Sequence, residues 1–147
     1  MSRRSRAREV ALQSLYQAEL GGVADTRARA RFHKGRLRST TLVAFTDSLV
    51  DGVERHRAEL DGLLDARSEN WRVARMAATD RAVLRLAAYE ILHTDTPGPV
   101  VVDEAIDLAR RYGSEASPRF VAGILGRLLA DRGGAAAPPA DAAATQR

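Results

Sequence analysis

The sequence predicts an all-α fold, and three observations carry that expectation. Apolar residues recur at steps of three and four along most of the chain. Aromatic residues make up only 5 % of the chain while alanine is frequent, a balance that favours helix over sheet. No segment shows the β-branched, period-two alternation of a strand. At 147 residues, 45 % of them apolar, the chain has the length and composition of one domain with a substantial core.

The first helix is expected over Ser5 to Leu20, where Val10, Leu12, Leu15 and Tyr16 keep helical spacing and Gly21-Gly22 ends the run. Residues 23–38 crowd Arg27, Arg29, Arg31, Lys34, Arg36 and Arg38 around Phe32 and His33 with few apolar anchors, and read as a loop or a short surface helix. From Thr41 to about Ala66, the series Leu42, Phe45, Leu49, Val53, His56, Leu60, Leu63 and Leu64 predicts a long amphipathic helix with a break near Gly52. Asn70-Trp71 falls in a connector. Thr79 is placed to cap a helix running to His93, apolar nearly all round and therefore central. Thr96-Pro97-Gly98-Pro99 breaks it, and two more helices follow at about 99–112 and 118–131. Gly113 is placed to stop the first of these, and Ser117-Pro118 to start the second. A helical domain over 1–132 is thus expected, with 133–147, which lacks large apolar residues, as a disordered tail.

Charge is uneven. Residues 1–38 hold ten Arg/Lys against three Asp/Glu, whereas the remainder is mildly acidic, which points to one polyanion-binding region. There is no cysteine, so disulfides, thiolate metal sites and a cysteine nucleophile are excluded. No apolar run approaches the roughly 18 residues of a membrane span, and no apolar stretch follows the basic N-terminus, so a cytoplasmic protein without membrane contact is expected.

Catalytic hardware is not recognisable. His33, His56 and His93 lie far apart in sequence without a ligand partner at i+4, and read as core or boundary histidines. Asp47, Asp51 and Glu54 share a helix face and read as a solvated acidic stripe. Neither phosphate-binding glycine loop is present, and Gly123 with Gly126 suggests close helix packing. No catalytic residue, cofactor or metal is therefore expected. The nucleic-acid signal is stronger: Arg3, Arg4, Arg6 and Arg8 crowd the start of the first helix, and a planar guanidinium can donate two hydrogen bonds to a phosphate. Phe120 falls in the first turn of the last helix, either exposed to stack on an unpaired base or turned inward to staple that turn to the core.

Three blocks stand in order: Arg6 to Tyr16 (RAREVALQSLY), Asp80 to Leu92 (DRAVLRLAAYEIL) and Pro99 to Leu125, which contains EAIDLARRYG and FVAGIL. Together they resemble the NusB family of bacterial transcription antitermination factors. The resemblance implies about seven helices in two small packed bundles. It also implies binding of boxA-type single-stranded nascent ribosomal RNA together with the ribosomal protein NusE, within the RNA polymerase antitermination complex. Carried onto matching positions, Arg3, Arg4, Arg6 and Arg8 would meet phosphates, while Tyr16, Arg119 and Phe120 would line the base-contacting surface. Asp80 and Glu90 would lie towards NusE. The chain departs from the family pattern at Ala122, where asparagine is usual, at Gly126, at Val102-Asp103, and in its arginine-rich 23–38 segment. The rival readings are a NusB-like protein-interaction module, and an RNA-recognition domain related to that of ribosomal RNA cytosine methyltransferases. The latter would need a catalytic domain and a nucleophilic cysteine, and this sequence has neither.

Overall fold

A computed structural model describes residues 2–21 and 26–136, with side chains as far as Arg132. Among these residues there are seven α-helices, one 3₁₀ turn and no strand: α1 Arg3–Glu19, α2 Thr26–Arg36, α3 Thr40–Arg55, α4 Arg57–Arg67, the 3₁₀ turn Val73–Arg75, α5 Ala78–His93, α6 Gly98–Tyr112 and α7 Ser117–Ala136. The expected terminator Gly22 and positions 137–147 of the expected tail lie outside the described residues. Helix α7 runs through Gly133-Gly134, past the boundary expected at 132.

Local chemistry sets the helix ends. Ser2 caps α1 by accepting from the Ser5 amide at 3.0 Å, and Gly21 at φ +85 takes the left-handed position that ends it. Ser39 caps α3 in the same way, accepting from the Leu42 amide at 3.2 Å. The long helix expected over 41–66 is divided at His56, not at Gly52. Gly52 is helical and buried, and is glycine for a different reason: a Cβ there would collide with the Tyr89 ring. Thr79 is not the cap of α5. The helix begins at Ala78, with Ala77 before it and no side-chain cap, just after the buried Val73 of the 3₁₀ turn and the buried Met76 that follows it. Gly113 does end α6, but at φ −94. Crowding is its reason, since a Cβ would meet the Ser117 side chain and come within 2.8 Å of the Ala109 carbonyl. Gly123 and Gly126 do not serve close packing, for a Cβ at Gly126 would meet nothing within 4 Å.

Helices α1, α2 and α3 pack together, as do α4, α5, α6 and α7, with α5 in contact with α1 and α3 as well. Helix α5 is buried almost continuously from Ala82 to Ala88, as an all-round apolar helix must be. The main core joins Leu12, Leu49, Leu60, Leu84, Ile124 and Leu128. A smaller one gathers Ala7, Val10 and Leu37 under Phe32, Leu42 and Phe45, where α2 closes onto α1 and α3. Helix α2 has little apolar surface and is held largely by charge. Arg29 lies 3.8 Å from Asp51 and 3.6 Å from Glu54, and His33 Nδ1 lies 2.5 Å from Asp47. The acidic face of α3 is therefore a docking strip for α2 rather than a solvated stripe. No helix among the described residues is long and apolar enough to cross a membrane.

Candidate nucleic-acid interface

Helical geometry sorts the four N-terminal arginines into different environments. Arg3 and Arg4, in the first turn of α1, are exposed. The Arg4 guanidinium lies 4.3 Å from the centre of the Phe45 ring, a cation–π contact that holds it over a surface groove shared with Ser48, Thr94 and Pro97. Arg6 is half-buried and pairs with Glu9 at 2.6 Å.

Arg8 overturns the expectation of a phosphate contact. Only 4 % of it is exposed, and it donates from Nε and Nη2 to the two carboxylate oxygens of Glu90 at 2.7 and 2.9 Å. Burial works against its charge, but Glu90 and Glu104 outweigh that cost and raise its pKa further above the ordinary arginine value. Glu90 is correspondingly not a partner-facing residue: it is 1 % exposed and spent on Arg8. A buried carboxylate on the central helix needs a cation, and α1 supplies it.

Beside this pair, Glu9 collects Arg6, Arg111 at 2.6 Å and the Tyr112 hydroxyl, which donates to its Oε2. Burial would raise the Glu9 carboxyl, yet the Tyr112 hydrogen bond and the two arginines prevail and hold it below the usual carboxylate range. Burial and the same carboxylate push the Tyr112 phenol up, so that it remains a donor. Gln13 donates to Tyr112 at 3.2 Å, which ties the end of α6 to α1.

Tyr16, 37 % exposed, borders a cleft with Gln13, Phe32, Arg36 and Tyr112. Arg36 lies 5.0 Å over the Phe32 ring, so this cleft offers three aromatic rings and a stacked guanidinium. Phe120 falls between its two sequence expectations: it is half-buried and packed against the main core, and it also lines an open cleft with Trp71, Arg75 and Asp80. Arg119 beside it is exposed. Asp80 therefore shares a cleft with Phe120, and its Oδ1 is buried without a hydrogen-bond partner.

The structure thus brings Arg4 to Phe45, Tyr16 to Phe32 and Arg36, and Phe120 to Asp80 and Trp71, in three surface clefts. Phe45, Phe32, Tyr112 and Trp71 were not among the expected site residues. For the first three, the role comes from helices packing across the fold, which leaves no local spacing to read. Trp71, 55 % exposed in a connector, carried a usable signal, since a large exposed aromatic ring without a core role marks an interaction surface.

These features define a class: an all-α domain whose first helix presents cations beside aromatic clefts. A family model described as the NusB family matches residues 5–130. The Transcription antitermination protein NusB of Anaeromyxobacter dehalogenans is 46 % identical over 128 residues, covering 86 % of this chain and 90 % of its own. That of Symbiobacterium thermophilum is 42 % identical over 146 residues, covering 92 % and 94 %. Among solved structures, T. maritima NusB superimposes with a TM-score of 0.78 at 32 % identity, covering 89 % of this chain and 92 % of that one. A structure of the antitermination factors NusB and NusE in complex with double-stranded RNA gives a TM-score of 0.78 at 25 % identity, covering 89 % and 98 %. The chain belongs to the NusB family, a family of transcription antitermination factors.

Proposed function

We propose that this protein binds boxA-type nascent ribosomal RNA together with NusE, in the cytoplasm, and supports read-through by RNA polymerase without catalysing a reaction itself. The observation that carries the RNA assignment is the exposed Arg4, held over Phe45 at the edge of a groove, with Arg3 beside it. Arg3 and Arg4 meet phosphates, with Arg6 as an outer contact. Tyr16, Arg119 and Phe120 supply stacking and cationic contacts to bases. Arg8 and Glu90 act one layer down, fixing α1 against α5 so that the arm is presented in one orientation. Asp80, in the cleft with Trp71, faces NusE.

The test is fluorescence anisotropy of a labelled boxA-like RNA, single-stranded and as a duplex, against a scrambled control, with and without purified NusE. Tighter binding of the boxA-like RNA in the presence of NusE is expected. Equal, weak binding to every RNA, with NusE still bound, would replace this reading with a protein-interaction module.

A further inference from the structure

We propose that His56, Glu59 and His93 form a zinc site where the α3–α4 junction meets the C-terminal end of α5. Their ligand atoms, scattered over 38 positions of sequence, all lie within 4.8 Å of one another. His56 occupies the single position between α3 and α4, and its Nδ1 lies 2.9 Å from the Gly52 carbonyl. A carbonyl only accepts, so Nδ1 carries the proton and Nε2 is left with a free lone pair. That is how a metal-ligating histidine is oriented by its second nitrogen. The His56 and His93 ring centres are 4.1 Å apart, and His93 Nε2 is 2.9 Å from Glu59 Oε1. Tyr89 backs both imidazoles, at 5.7 Å from His56 and 5.3 Å from His93. Its ring sits against α3 in the space left by the absent side chain of Gly52.

Two imidazoles and one carboxylate are a donor set that zinc uses, with a fourth position left to water. Nitrogen donors also argue against magnesium or calcium, which take oxygen. Ligand atoms around tetrahedral zinc stand about 3.3 Å apart, from metal–ligand distances of about 2.0–2.2 Å. Closing the present cluster needs a shift of about 1.5 Å, which the exposed side chains of Glu59 and His93 can make by changing rotamer. A bound ion would clamp the hinge between α3 and α4 to the end of α5, beside the groove that His93 lines together with Arg4.

The untagged full-length chain is titrated with Zn²⁺ by calorimetry and by competition with a chromophoric chelator, and Co²⁺ serves as an optical probe of coordination. One ion per chain is expected, with four-coordinate cobalt absorption and a melting temperature raised by several degrees. Loss of an outer-shell partner typically weakens metal binding about 10–100-fold, so His93→Gln and Glu59→Gln, which remove direct ligands, should each cost at least tenfold. Both side chains are at the surface. Should either variant misfold, nitrogen-15 histidine spectra of the wild-type chain decide: zinc should shift His56 and His93 and leave the buried His33 unmoved. No saturable binding, or binding unchanged in both variants, would overturn the site and leave His93–Glu59 as a surface hydrogen bond.

Discussion

At the scale of single residues, the N-terminal arginines show how position on a helix decides a charge's role. Arg4 and Arg8 are one turn apart, both near Phe45, yet one is exposed and the other buried against Glu90. Removing one partner of a buried ion pair strands the other, at a cost of about 3–5 kcal/mol. Arg8→Ala and Glu90→Ala should each lower stability by about that much in urea unfolding. The double replacement Arg8→Met, Glu90→Leu should lose far less than the sum of the two, because no buried charge is left alone. The largely buried carboxylates Glu9 and Glu19 give a second prediction. Glu9, and likewise Glu19 between Arg81 and Arg85, are opposed by burial but held below the ordinary carboxylate pKa by their cationic partners. A depressed folded pKa adds stability above the unfolded carboxylate value, and that stability is lost as pH falls through the folded one. Stability should therefore drop on acidification below about pH 4.5, the ordinary carboxylate value, and Glu9→Gln or Glu19→Gln should each flatten the drop in a series of urea midpoints against pH.

At the scale of helices, Gly52 provides a test whose sign is informative. In the interior of an ordinary helix, replacing glycine by alanine stabilises by about 1 kcal/mol. Here a Cβ would strike the Tyr89 ring, so Gly52→Ala should destabilise by about 1–3 kcal/mol through overpacking, read as a lowered urea midpoint. The same contact shows what sequence could and could not convey. Gly52 read as a helix break because a glycine in a periodic stretch is locally a weak point, whereas its partner Tyr89 is 37 positions away and sets its actual role. Helices rich in apolar residues at helical spacing, α1, α5 and α6, fell within a few residues of their expected ends. Helix α2 stayed ambiguous because its anchors are mostly ionic, and the pairing of Arg29 with Asp51 and Glu54 exists only once α3 is beside it. Of the proposed site residues, Arg3, Arg4, Tyr16 and Arg119 are exposed. The burial of Glu90 had a legible cue: a carboxylate on an all-round apolar helix has to find a cation. Which cation was not legible, because the 82-residue separation from Arg8 is closed by packing alone.

At the scale of the whole molecule, the two helical bundles meet on α5, and the proposed RNA contacts come from helices on both sides of it: Arg3, Arg4 and Tyr16 from α1, Arg119 and Phe120 from α7. If both sets engage one RNA, they must fail in different ways. Each phosphate neutralised on a single strand contributes about −0.7 to the slope of log affinity against log salt. Replacing Arg3 and Arg4 together by alanine should therefore flatten that slope by about 1.4, with little effect on unfolding. Phe120 should leave the slope unchanged and weaken binding by about 1–3 kcal/mol, the scale of base–aromatic stacking. Truncation to alanine cannot isolate that term, because Phe120 also packs against the main core and its loss opens a void. Phe120→Leu does isolate it: leucine keeps most of the apolar volume, at under about 1.5 kcal/mol of stability, but has no π-face. Reduced RNA affinity with a near-native melting curve in Phe120→Leu would establish stacking. Affinity unchanged in that variant would reduce Phe120 to a staple of α7 and leave RNA recognition to α1 and the Tyr16 cleft.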